Sequence, residues 1–315
     1  DEVSLLSLAS ADYTQVTELS RRLVEEHAKR GVTVSLPSLR VDSFSLELAR
    51  ELEKFRRTGL TFAPEAGTQR MRDVINKGVT EEDLMSAARD AFESGWELVK
   101  LYFMIGLPHE TDEDLDGIAD LCRRVLELGR SAARKRGKAG RVRVNVSVSS
   151  FVPKPHTPFQ WYGQNSREEL ARKQDYLRER MRMRGLSVSF HDVEASFLEA
   201  AFARGGRELA PAIERAMALG CRFDGWSDQF RADLWRQAFE EVGVDPSKWA
   251  NASYDFDQRL PWDHIDMGVS KDFLRREAER AAKAELTPDC RTGACTGCGA
   301  CADGARTRLA GGAWR

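Results

Sequence analysis

Four of the six cysteines crowd into one stretch near the end of the chain: Cys290, Cys295, Cys298 and Cys301, separated by four, two and two residues. Thiols at that density point to metal, because a disulfide framework spreads its cysteines through a short secreted chain. Four thiolates would saturate a [4Fe–4S] cluster and leave no iron open. Gly293, Gly297 and Gly299 free the backbone to turn its N–H groups toward sulfides. Such a cluster would relay electrons or order the tail. Tetrahedral zinc is the rival reading, although zinc sites usually pair two separated knuckles, and unligated or disulfide-bonded cysteines are the remaining one. Cys122 falls on the apolar stripe of a helix and reads as core, and Cys221 beside Gly220 has no evident partner.

A second constellation is spread along the first half of the chain. Arg40, Glu65, Lys77, Gly106 and Ser149 fall at or just past the C-terminal ends of expected strands, where parallel barrels place their sites. The cations could take the carboxylate of a zwitterionic amino acid, and Glu65 its ammonium or a ribose hydroxyl. Gly106 would let a ligand approach the backbone. Surface ion pairs are the plain alternative. His109, His156, His191 and His264 do not form a metal-ligand spacing and suit structural hydrogen bonds. Trp226, Phe230, Trp235, Trp249 and Trp262 suit a helical core more than a base-stacking platform.

Positioning these residues requires alternating strands and helices. Strands are expected over Val3 to Leu8, Val32 to Leu36, Leu60 to Ala63, Glu97 to Ile105 and Arg141 to Ser150. Helices are expected over Val16 to Arg30, Ser45 to Arg57, from Thr80 to before Gly95, and from the capping pair Thr111 and Asp114 through Gly129. The β/α alternation argues for a parallel sheet with crossover helices. In the last strand Val142, Val144, Val146 and Val148 share one face, and Arg143, Asn145, Ser147 and Ser149 the other. A doubly wound sheet would be apolar on both faces, so one polar face favours a barrel with a ligand-lined lumen over a sheet with a solvated side. Beyond Phe151 come a proline-rich loop (Pro153, Pro155, Pro158), a charged helix over Ser166 to Arg184, a short strand from Ser187 to His191, and further helices.

Bulk numbers exclude several classes. With 42% hydrophobic residues and a net charge of −2, the 315-residue chain can bury a core and has no overall charge demanding nucleic acid or membrane. The basic run between Arg130 and Arg143 reads as a solvated helix end. No apolar run reaches the ~18 residues of a membrane span, so a cytoplasmic location is expected. Asp1 opens almost directly onto an expected core strand, which suggests a fragment.

The ordered set Gly59-Leu60-Thr61-Phe62-Ala63-Pro64-Glu65-Ala66-Gly67-Thr68, Asn76-Lys77-Gly78, and Phe103-Met104-Ile105-Gly106-Leu107-Pro108-His109-Glu110-Thr111 resembles radical S-adenosylmethionine (radical SAM) enzymes. It is nearest their cobalamin-associated and methylthiotransferase-like branches. Arg40-Val41-Asp42 resembles the arginine segment that precedes these motifs. Phe151 to Phe159 and Ala203 to Arg207 resemble an uncharacterised radical SAM family with a cobalamin-binding-like domain ahead of the barrel. The resemblance implies a partial TIM-like (β/α)6 barrel over 1–160, missing its first β/α unit, with a mostly helical accessory region over 161–285 and a Cys-rich tail over 286–315. It also implies that Gly106 and its neighbours support the adenine of SAM, with Arg40, Glu65, Lys77 and Ser149 around the cofactor.

One departure matters. The family holds its catalytic [4Fe–4S] cluster on a Cys-x3-Cys-x2-Cys loop after the first barrel strand, and the sequence has no such motif. Three thiolates leave one iron open to chelate SAM, whose reductive cleavage yields a 5′-deoxyadenosyl radical. Truncation accounts for the gap, with the fragment inactive alone, cobalamin entering through an upstream domain and a reductase or flavodoxin-like donor supplying electrons. The substrate stays open between a base in RNA, a tetrapyrrole-like molecule and another metabolite. Two other classes stand beside this: an electron-transfer or scaffold module built on the tail cysteines, and a tRNA-modification protein using the Trp-rich region.

Overall fold

The computed structural model describes residues 2–4, 13, 15–27, 30–35, 60–134, 137, 139–290 and 293–301. Two short strands, β1 (Glu2–Ser4) and β2 (Thr33–Ser35), pair in parallel, joined by a segment that includes the amphipathic helix α1 (Val16–His27). The expected helix over Ser45 to Arg57 lies outside the described residues, as does Arg40.

The main sheet has four strands in the order β3 (Leu60–Glu65), β4 (Leu98–Ile105), β5 (Arg143–Ser150) and β6 (Leu186–Phe190), each parallel to its neighbour. This α/β arrangement is consistent with a partial TIM-like barrel. The helices linking these strands include α2 (Gln69–Val74) and α3 (Glu81–Glu93), then α4 (Asp112–Arg134), then α5 (Arg167–Arg180). Thr80 caps α3 in a reciprocal box with Asp83, and Leu84, Ala87, Ala88 and Ala91 form its buried stripe. Gly129 lets α4 meet α3 closely, for a methyl there would sit 2.7 Å from the Phe92 ring. The short helix α2 is an addition to the expected elements; Thr68 caps it by accepting from the Met71 N–H.

The sheet continues past residue 160, through a fourth strand. The charged helix α5 is the crossover from β5 to β6. Its buried residues Leu170, Lys173, Gln174 and Leu177 explain why: two of the four inward positions carry polar side chains, which hides the stripe.

One sheet face packs under α3, α4 and α5 through Phe62, Val99, Leu101, Phe103, Val144, Val146 and Val148. The opposite face is polar, as the alternation predicts. Thr61, Lys100, Asn145 and Ser187 align across the four strands, and Tyr102 stands beside Ser147 and Ser189. Tyr102 is 44% exposed, so among the described residues this face is open.

After β6 come α6 (Val193–Arg204), α7 (Ala210–Leu219), α8 (Ala232–Glu241), the single turn α9 (Ser247–Ala250) and α10 (Lys271–Ala281). Buried Arg204 ties this region together, its guanidinium donating to the carbonyls of Trp249, Ala250 and Ala252 at 2.5, 3.1 and 2.7 Å. No described helix is long and apolar enough to cross a membrane.

Candidate functional site

The loops leaving β3, β4 and β5 meet at the C-terminal end of the sheet. Ala66, Leu107 and Phe151, one from each loop, pack with Met71 and Val74 of α2 and with Ala281 of α10. Helix α10 therefore sits on the strand ends, where parallel sheets place ligands.

Glu65 ends β3 at φ +65°, a left-handed conformation uncommon for a residue with a side chain. Its carboxylate accepts from the Lys77 ammonium at 3.0 Å, and both side chains are about a quarter exposed. Lys77 is held by its N–H bond to the Arg72 carbonyl, and the buried Arg72 guanidinium donates to the Ala66 carbonyl at 2.9 Å. Two of the five expected ligand residues are thus in direct contact at the strand ends.

Packing gives Gly106 a reason to be glycine. Its φ is +78°, and a Cβ would meet Leu170 Cδ2 at 2.9 Å and Asn165 Oδ1 at 3.3 Å. The space is filled by the protein itself. The Gly106 N–H donates to Glu110 Oε2 at 2.8 Å, and the same oxygen accepts from Lys173 at 2.6 Å in a nearly solvent-free pair. Burial outweighs the lysine and the backbone donor and holds the Glu110 carboxyl above its ordinary range. A lysine at an inward position of α5, between Leu170 and Leu177, was the sequence signal for this pair.

Ser149 is exposed on the polar face beside Met104, two strands away from β3. Asn165 Oδ1, close to Gly106, is buried with no hydrogen-bond partner among the described residues, and so is Ser150 Oγ.

The first turn of α4 locks the same end of the sheet. Buried Asp114 accepts from the Thr111 N–H (2.8 Å) and hydroxyl (2.9 Å), from Thr68, and from Arg70. Gly67 lies against this turn so closely that a Cβ would be 2.1 Å from the Ile118 nitrogen. The glycine and threonine of the first motif therefore serve loop-to-helix contact.

The histidines play local parts. His109 Nε2 lies 3.1 Å from the Tyr162 hydroxyl, and His191 Nδ1 lies 2.7 Å from Ser196 Oγ. Cys122 is fully buried and Cys221 nearly so. Trp235 and Trp262 are core residues, whereas Trp226 is 68% exposed beside Phe223. A cavity of about 430 Å³ opens between α6 and α8, lined by Phe197, Leu198, Phe230, Trp235 and Phe239 and edged by the Arg167–Glu194 pair; no motif or spacing in the chain announces it. The tail cysteines are exposed or half-exposed, and among the described residues no three metal-ligating side chains are gathered into one site.

Comparison with known proteins agrees with the motif loops. An uncharacterized protein of Methanocaldococcus jannaschii is 30% identical over 253 residues, which cover 80% of this chain. The aligned stretch is 51% of that relative, so the chain spans about half its length. The family that this chain matches, over residues 1–122, is the radical SAM superfamily.

Proposed function

We propose that the protein containing this chain is a radical SAM enzyme that cleaves SAM reductively at a [4Fe–4S] cluster, and that this chain supplies the binding surface for SAM. The observation that carries the reading is the Glu65–Lys77 pair at the strand ends, among motif loops locked to one another and above a polar sheet face. The donor set suits SAM. Lys77 offers a cation for its carboxylate, and Glu65 an acceptor for its ammonium or ribose hydroxyls. The unpartnered Asn165 amide oxygen offers an acceptor for an adenine amine. Ser149 adds a hydroxyl from the polar face, Gly106 shapes the loop beneath the adenine, and Arg40 would bring a second cation.

SAM bound with a reduced cluster supplies radical chemistry. The chain's own residues bind SAM and orient it. A cluster with an open iron needs three thiolates on a loop. The sequence has no Cys-x3-Cys-x2-Cys, so the 315 residues alone are proposed not to cleave SAM. A cytoplasmic location and a reductase or flavodoxin-like donor belong to the same reading. Cobalamin would enter through an upstream domain.

The test uses full-length protein, reconstituted anaerobically, reduced in the presence of SAM and assayed for 5′-deoxyadenosine. Lys77→Ala and Glu65→Gln should each lower the yield about tenfold at subsaturating SAM, the loss of one charge-assisted contact, with cluster content unchanged. A full-length protein with an intact cluster that releases no 5′-deoxyadenosine would overturn the reading.

A further inference from the structure

The segment after α10 is tied to the body of the protein at two points. At the first, Thr287 and Asn76 exchange hydrogen bonds: the Thr287 N–H donates to Asn76 Oδ1 at 3.1 Å, and Asn76 Nδ2 donates to the Thr287 carbonyl at 3.2 Å. Asn76 is the neighbour of Lys77. Cys290 follows three residues later, a reach of at most about 11 Å, so the first tail thiol lies on the side of the strand ends.

The second point is a loop over Cys295 to Gly299. Gly297, at φ +68°, donates its N–H toward Cys295 Sγ at 3.4 Å. The Cys298 carbonyl accepts from the Ser270 N–H at 2.8 Å. Gly299, at φ +96°, lies against the same loop, where a Cβ would meet the Gly268 carbonyl oxygen at 3.3 Å and the Ser270 nitrogen at 3.5 Å. Ser270 caps α10, so this loop is seated at the start of an eleven-residue helix.

We propose that Cys290, Cys295, Cys298 and Cys301 hold a [4Fe–4S] cluster of their own, seated at the start of α10 and tethered beside the SAM surface by the Asn76–Thr287 pair. Metal would draw all four thiolates together from a loop in which they are not yet gathered. Loading takes iron and sulfide from solution, and each thiol loses its proton as its Fe–S bond forms. With four thiolates no iron stays open to SAM. A mononuclear zinc ion would require all four sulfurs within about 3.8 Å of one another, from its 2.3 Å bonds in a tetrahedron. Two overlapping x2 spacings that share Cys298 suit a larger cluster, as in ferredoxin-type runs.

The 315-residue chain is itself the test object, because any cluster it retains reports on the tail and not on the SAM reading. After anaerobic reconstitution with iron and sulfide and removal of the excess, about four iron and four sulfide per chain are expected, with charge-transfer absorption. Cys295→Ser/Cys298→Ser should lose both while keeping the circular dichroism of the fold. Cys221→Ser should keep both. No retained iron, equal retention in the double variant, or zinc bound without sulfide would each overturn the proposal. Asn76→Ala should retain the cluster but speed proteolysis between Leu286 and Cys290; an unchanged rate would remove the tether from it.

Discussion

The Thr68 hydroxyl donates to Asp114 Oδ1 at 2.5 Å, across 46 residues of sequence. Through this bond the cap of α2 and the cap of α4 become one structure: Thr68 also accepts from the Met71 N–H, and Asp114 also accepts from Thr111. The loops after β3 and β4 are thereby fixed relative to each other before any ligand arrives.

This relationship has a pH signature. Burial pushes the Asp114 carboxyl up, but the bonds from Thr68 and Thr111 and the charge of Arg70 outweigh it, leaving it below the ordinary range. A depressed folded pKa contributes stability that is complete above the unfolded value, about 3.9, and is lost as pH falls through the folded one. Asp114→Asn should flatten the acid limb of a plot of urea midpoint against pH. An acid limb as steep as in the parent would show that Asp114 is not its source. Thr68→Val should cost about 1–2 kcal/mol at neutral pH.

Two glycines in the motif region should differ sharply. Gly67→Ala places a methyl among backbone atoms of α4 that cannot yield, with 2.1 Å to the Ile118 nitrogen. A loss above about 3 kcal/mol, or failure to fold, is expected. Gly78, at φ +66°, has nothing within 4 Å of a built Cβ. Gly78→Ala should therefore cost only the left-handed strain, about 1–2 kcal/mol. Thermal melts of the two variants check the order.

Lys173→Met leaves the Glu110 carboxylate buried beside one backbone donor. The expected loss is about 3–5 kcal/mol, most of it the cost of an uncompensated charge. Glu110→Gln added to Lys173→Met should recover a large part. If the double variant is no more stable than the single, the ion pair is not what holds the Gly106 loop.

Native thiol labelling should divide the six cysteines by burial. Cys122 is sealed in the core, and burial raises its pKa far out of the reactive range; burial also raises that of Cys221. Iodoacetamide should modify Cys290, Cys295, Cys298 and Cys301 in the metal-free native protein and reach the other two only in denaturant. Early labelling of Cys122 would mean that the α3–α4 layer opens locally.

Features set within a few residues are legible in the chain alone. The alternating valines of β5 dictate a strand with one apolar face, because side-chain direction has a period of two. Thr80 with Asp83 and Thr111 with Asp114 dictate where α3 and α4 begin, because a cap is satisfied three residues away. The motif loops were legible as a set for the same reason.

Which of these pieces meet is a property of the folded molecule. That Lys77 reaches Glu65, that Lys173 comes from a later helix to a glutamate 63 residues earlier, and that Thr287 returns to Asn76 are long-range contacts no local rule specifies. Strand β6 joined the sheet because its crossover helix buries Leu170 and Leu177 against the core, a choice masked by the polar residues between them. Local hydrogen bonding and periodicity are encoded residue by residue. Partners across the fold are selected only when burying apolar surface brings distant segments together.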